Sequence, residues 1–214
     1  MQNLFTAVNA LKFGGMAVYP LLLLGIIALA VSLDKTFIYW RYGRLPNSTL
    51  ALVETYRFEW GELEKQVASF IHGNCFRRFF KVIMDNRANP AWWVESRAAD
   101  EAQLIERALK RGLWVLETIV TAAPLLGLVG TIIGMMESFK LIGGSGLVNP
   151  TGITGGVAQA LIATTLGLII AIISLFSFNF FSNLQSKTMD EMERLGTRLI
   201  DHIRVDQEKN GSDT

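Results

Sequence analysis

The sequence has one cysteine, Cys75, and two histidines, His72 and His202. A lone thiol forms no disulfide within the chain, and one Cys with two distant His gives no metal-ligand spacing. Both histidines lie in polar contexts and read as solvated surface side chains. The formal net charge is only +1, so nothing marks the chain for nucleic acid. There is no HExxH, no GxSxG and no P-loop. The run Gly143-Gly144-Ser145-Gly146 lacks the strand, Lys and helix context of a phosphate site and reads as a flexible loop. No enzyme, cofactor or metal centre is expected. The largest absence is of charge: none between Glu117 and Glu137, and none from Leu141 to Ser186.

What is present is apolar. Hydrophobic residues make up 50% of the chain and concentrate in three blocks, the signature of a membrane chain. A hydrocarbon core needs about 20 apolar residues as helix, and residues 13–33, 117–140 and 157–181 each supply them. The expected class is an all-α membrane protein with three transmembrane helices. Two are long and extend into the cytoplasm, where short helices accompany them.

In chain order, residues 1–12 place Leu4, Phe5, Val8 and Leu11 on one face, a pattern for an interfacial helix. The first span has the look of a signal peptide, since Lys12 precedes a run ending Ala28-Leu29-Ala30. Its length and the following Lys35, Arg41 and Arg44 favour a retained helix. Residues 34–116 form a polar helical region. Pro46-Asn47-Ser48 starts a helix through Tyr56, Gly61–Ile71 and Phe76–Met84 are amphipathic, and Asn89-Pro90 reads as a cap followed by a first-turn proline. Phe76, Phe79, Phe80, Trp92 and Trp93 suit either a small soluble core or a surface against headgroups. From Ala98 the period through Ala102, Ile105, Leu109, Leu113 and Leu116 leads into the second span, with Glu106 and Lys110 paired at i, i+4. Beyond the third span, residues 182–214 continue the period at Met192, Leu195, Leu199 and Ile203, with Asp190 and Arg194 at i, i+4, before a polar tail. Helices of some 40 residues extend about 60 Å, roughly twice the hydrocarbon thickness.

Small side chains form stripes in the second and third blocks. Ala123, Gly127, Gly130, Thr131, Gly134 and Ser138 follow helical steps, as do Gly156, Ala160, Thr164, Gly167, Ala171 and Ser174. Membrane helices approach closely at such residues, so Gly127, Gly130, Gly134 and Gly167 are expected packing positions. Polar groups at this depth usually face a bundle interior or a wet cavity. Thr131 and Thr164 reach similar depth from opposite directions, with Gln159 more than a turn nearer the outer end. Each threonine equally suits a hydrogen bond to its own backbone.

Two stretches carry a resemblance. PLLGLVGTIIGMMESF followed by GGVAQALIATTLGLIIAI resembles the MotA/TolQ/ExbB proton channel family, closest to ExbB- and TolQ-like subunits. The likeness extends more loosely to GGMAVYPLLLLGIIALAVSLDKTFIYWR. It implies a subunit of a proton-motive-force-driven complex in the bacterial inner membrane. It further implies a homopentameric ring around the helices of an ExbD- or TolR-like partner with an intramembrane Asp, and a possible TonB-like transducer. Thr131, Thr164 and Gln159 would then belong to the ion pathway. ExbB- and TolQ-like chains often carry Glu where Gln159 stands, and an amide does not titrate. A non-conducting scaffold is therefore a rival reading. A MotA-like stator is another, although those subunits normally have four spans.

Charge sets the expected orientation. Lys35, Arg41 and Arg44 follow the first span, Arg107, Lys110 and Arg111 precede the second, and Lys187, Arg194 and Arg198 follow the third. Only Lys12 and Lys140 lie on the other side. Positive residues stay cytoplasmic, which directs the N-terminus and the 141–156 loop outward and the C-terminus inward.

Overall fold

The computed structural model describes residues 15–43, 45–55, 58–143 and 150–212. The expected interfacial helix at residues 1–12 and the loop glycines 144–146 lie outside them. Seven helices make up the described residues: α1 (Val18–Tyr42), α2 (Asn47–Glu54), α3 (Trp60–Ala68), α4 (Cys75–Asp85), α5 (Ala91–Lys110), α6 (Leu113–Gly143) and α7 (Pro150–Ser212). Three helical stretches are long and apolar enough to cross a membrane, Val18–Arg41, one within Ala91–Lys140 and one within Gly152–Lys209. The chain forms two compact units, one through Leu33 with Gly112–Phe180, the other Asp34–Arg111 with Phe181 onward.

The first unit is inside-out by the standard of a soluble core. Its buried positions include Ala28, Ala123, Ala160, Ala163 and Ala171, while Ile26, Leu125, Ile172 and Phe176 are exposed. So broad an exposed apolar surface is untenable in water. In lipid it is the solvated face, and small residues are what lets helices approach one another. Pro124 lies inside α6 and leaves the Val120 carbonyl without its i+4 amide donor. Membrane helices tolerate proline because polar side chains, neighbouring helices and local backbone adjustment satisfy the freed backbone.

The second unit has a conventional core. α4 opens after Gly73, at φ 97°, and Asn74 caps it: Oδ1 accepts from the Phe76 amide at 2.9 Å and the Arg77 amide at 3.3 Å. The buried face of α4 is Cys75, Phe76, Phe79, Phe80 and Ile83. It packs against α5 and α3, and α3 against α2. The three phenylalanines are thus core, whereas Trp92 is exposed. Met192, Leu195, Leu199 and Ile203 on α7 are all buried, as their period predicts.

Four local expectations are corrected. Pro90, not Asn89, is the N-cap of α5, and no side chain caps that end. Arg194 pairs with Glu54 at 2.5 Å and not with Asp190, because α2 offers a carboxylate across the fold. His202 is half-buried, stacked on Phe58 at 4.4 Å, with Nε2 3.2 Å from the Val53 carbonyl. The apolar period from α5 into α6 is also interrupted, at Gly112 with φ 86°. That left-handed backbone favours glycine and ends a helix, while Leu109 and Leu113 remain buried on either side. The expected Glu106–Lys110 pair forms at 2.6 Å.

Lys35 is more than a flanking charge. It is 1% exposed, and its ammonium donates to the Leu109 carbonyl at 2.8 Å. Leu109 lies in the last turn of α5, where carbonyls have no helical partner, so the lysine satisfies one of them and complements the helix dipole.

Candidate ion-pathway site

The site is built where α6 and α7 meet. A Cβ placed on Gly167 would stand 2.5 Å from the Ala123 carbonyl oxygen and 3.2 Å from Gly127 Cα. One on Gly127 would stand 3.0 Å from Thr164 Cα, and one on Gly130 would be 2.6 Å from Ala163 Cβ. One on Gly134 would lie 3.0 Å from the Gly156 oxygen. The two helices therefore meet through backbone atoms and alanine methyls along about three turns. The small-residue stripes of one chain pack against each other. Farther along α6, Ser138 donates to Gly134 at 2.9 Å and lies 3.4 Å from the Ile153 carbonyl.

The two threonines behave differently. Thr131 donates to the Leu128 carbonyl of its own helix at 2.6 Å. Thr164 donates across to the Gly127 carbonyl at 3.1 Å, a bond that exists only because Gly127 lets the backbones close. Both side chains are half-buried. Thr164 faces Gly127, so Thr131 lies one turn farther along α6, about 6 Å at 1.5 Å per residue.

Their chemistry follows from where the protons point. A hydroxyl has one proton and two acceptor lone pairs. With both protons committed to backbone carbonyls, each Oγ1 presents acceptor capacity to anything beside it. Such an oxygen welcomes a donor, whether water, hydronium or a protonated carboxyl, and does not welcome a carboxylate. No ionisable side chain belongs to α6 between Glu117 and Glu137, or to α7 from Pro150 to Ser186. A titrating group here would have to come from outside these stretches of α6 and α7. Among the described residues no cluster of His, Cys, Asp and Glu fits a metal.

Gln159 is held by a residue that sequence reasoning passed over. Gly15, at φ 68°, stands against it so closely that a Cβ there would overlap the amide Nε2 and lie 2.8 Å from Cδ. The Gln159 amide thus rests on the backbone that leads into α1. The pair Gly14-Gly15 before the apolar run was the available signal. Ser174 is fully buried on α7, and its hydroxyl has no partner among the described residues.

Residues 72–194, which include both halves of this site, match the MotA/TolQ/ExbB proton channel family. The chain belongs to that family. An ExbB-like biopolymer transport protein of Synechocystis sp. is 32% identical over 179 residues, 80% of this chain and 82% of the relative. The biopolymer transport protein ExbB of Aquifex aeolicus is 45% identical over 80 residues, 37% of this chain and 53% of that one. An ExbB homolog of Methanothermobacter thermautotrophicus is 26% identical over 194 residues, 88% of this chain and 67% of the relative. The family consists of transport and channel subunits, and this ExbB-like member is a multi-pass membrane protein.

Proposed function

We propose that this chain is the ring-forming subunit of a proton-driven energy-transducing complex in the bacterial inner membrane. Several copies, five by the family resemblance, surround the single-span helices of an ExbD- or TolR-like partner. That partner brings an intramembrane aspartate and a link to a TonB-like transducer. The observation that carries this reading is the Thr131–Thr164 layer, two acceptor-presenting hydroxyls in a span of the chain without ionisable groups. An Asp entering that layer is favoured in its protonated form, because only then does it donate to Oγ1. The ring subunit would hold the loaded carboxyl, and release toward water would discharge it. Gln159, resting on Gly15, adds hydration without a second buried charge, which costs around 2.5–3.5 kcal/mol on insertion scales. The excess of Lys and Arg supports an outward N-terminus and a cytoplasmic C-terminus.

The scaffold reading has one observation in its favour. The Thr164–Gly127 bond ties helix to helix and needs no conduction to explain it. Co-expression with a one-span protein carrying an intramembrane Asp, followed by reconstitution, separates the two readings. A co-purifying complex that carries proton flux supports the motor. A co-purifying complex that carries none under any imposed gradient supports the scaffold.

A further inference from the structure

Three faces run along α6, at about 100° per residue. Ala123, Gly127, Gly130 and Gly134 make the face closed against α7. Leu125, Val129, Ile132 and Met136 make a second, which is exposed and wholly apolar. The third holds Thr131. Steps of three and four lead from it through Leu128, Pro124 and Thr121 to Glu117, so all five share one side of the helix. Glu117, Thr121 and Leu128 are exposed, and Pro124 and Thr131 are half-buried. Glu117 lies about 21 Å from Thr131 at 1.5 Å per residue, near the start of α6. It is the first ionisable residue of α6 on the way from Thr131 to that end, because the sequence carries no charge between Glu117 and Glu137. Glu137 itself stands about 200° round the helix from Glu117.

We propose that Glu117 is the proton acceptor at the cytoplasmic end of the path that begins at Thr131. This rests on the reading of the Thr131–Thr164 layer as the place where the partner's Asp is held protonated. The turn around Glu117 is set with acceptors. Thr121 donates its hydroxyl to the Thr118 carbonyl at 3.0 Å, so its Oγ1 is left to accept. The Val120 carbonyl, freed by Pro124, points along the helix in the same turn. A carboxylate, a hydroxyl oxygen and a backbone carbonyl thus lie within about 6 Å along the axis, and together they hold water or hydronium. The proton balance is simple. The partner's carboxyl breaks its O–H bond and gives the proton to water. Hydronium passes it to the Glu117 carboxylate, where an O–H bond forms. That bond breaks in turn as the proton moves to cytoplasmic water, and the carboxylate is restored. One such carboxylate per subunit makes a ring of negative charge at the inner mouth, which concentrates cations there.

The test uses the full chain with its one-span partner in vesicles, at fixed pH and with equal co-purification checked for each variant. A potassium–valinomycin potential drives the flux, which is read as potassium movement so that buffer does not mask it. In dilute buffer, Glu117→Gln should lower flux about tenfold, the low end of what a focusing charge contributes. Glu117→Asp should retain most of it, and Glu137→Gln, off this face, should leave it unchanged. A high concentration of the impermeant buffer MES should restore flux to the Glu117→Gln complex, because a mobile base then takes the proton at the mouth. It should not restore flux to Thr131→Val, whose loss lies inside the span. Full flux with Glu117→Gln in dilute buffer overturns the proposal. So does a loss that MES does not repair, or one that follows lost co-purification. Flux in the unmodified complex beside an indifferent Glu117→Gln sinks this inference and leaves the proton-driven reading standing. An unmodified complex without flux sinks both.

Discussion

Thr164 donates its hydroxyl proton to the Gly127 carbonyl across 3.1 Å, from one membrane helix to the next. Thr131, one turn away, gives its proton to Leu128 on its own helix at 2.6 Å. Both oxygens are left as acceptors, which fixes the sign of their effect on a neighbouring carboxyl. They favour the protonated acid. In a complex with its partner, Thr164→Val should therefore move the pH midpoint of proton flux to lower pH. A shift of about half a unit to one unit corresponds to one lost hydrogen bond. A shift to higher pH would mean that the hydroxyl donates to the carboxylate instead.

Close packing of α6 on α7 gives a prediction with an internal control. Gly167→Ala sets a methyl 2.5 Å from the Ala123 oxygen, whereas a Cβ on Gly155 meets nothing within 4 Å. Gly167→Ala should lower the thermal midpoint of the purified chain in detergent, and Gly155→Ala should not. Gly134→Leu should act in the same way, since a large side chain drives α6 off α7 before any ring is considered. Equal midpoints for Gly167→Ala and the unmodified chain would count against this helix pairing.

Cys75 is buried at the start of α4, and burial pushes its thiol up from 9.0 to about 11. The thiolate is the reactive form, so maleimide should label Cys75 only after denaturant is added. Orientation is better read from Glu64→Cys in a Cys75→Ala background, at an exposed position on α3. An impermeant maleimide should reach it after lysis and not in intact cells. The raised value also carries a linkage. The unfolded thiol ionises first as pH rises, so this contribution to stability is complete below about pH 9 and falls toward pH 11. Denaturant midpoints over that range should fall more for the unmodified chain than for Cys75→Ala.

Lys35→Met keeps the length of the side chain and removes the donor to Leu109. One buried carbonyl then has no partner, a loss of about 1–3 kcal/mol. Hydrogen exchange at residues 105–110 should accelerate, with little change on α4. Unaltered exchange there would mean that water replaces the ammonium.

Much of this was legible from the sequence, for a physical reason. Burial of Leu195 and Leu199, or exposure of Ile172 and Phe176, follows from periodicity and the absence of charge, which are properties of single helices. The residues that escaped are those whose partners come from elsewhere in the chain. Arg194 finds Glu54 and His202 finds Phe58, across about 140 residues in each case. Gly15 reads as a plain loop glycine until Gln159 is laid against it. The hydroxyls fall between these cases. Spacing marked Thr131 and Thr164 as special, but it did not say that one bonds within its helix and the other across to its neighbour.

The central claim, that the two threonine oxygens line the proton path, is tested most directly by flux. Vesicles containing this chain and its partner are compared with the Thr131→Val, Thr164→Val double variant at equal assembly and equal imposed gradient. The shapes of the side chains are kept and only the hydroxyls are lost. The account predicts markedly reduced flux in the double variant, with the complex still intact. Flux equal to that of the unmodified complex would contradict it.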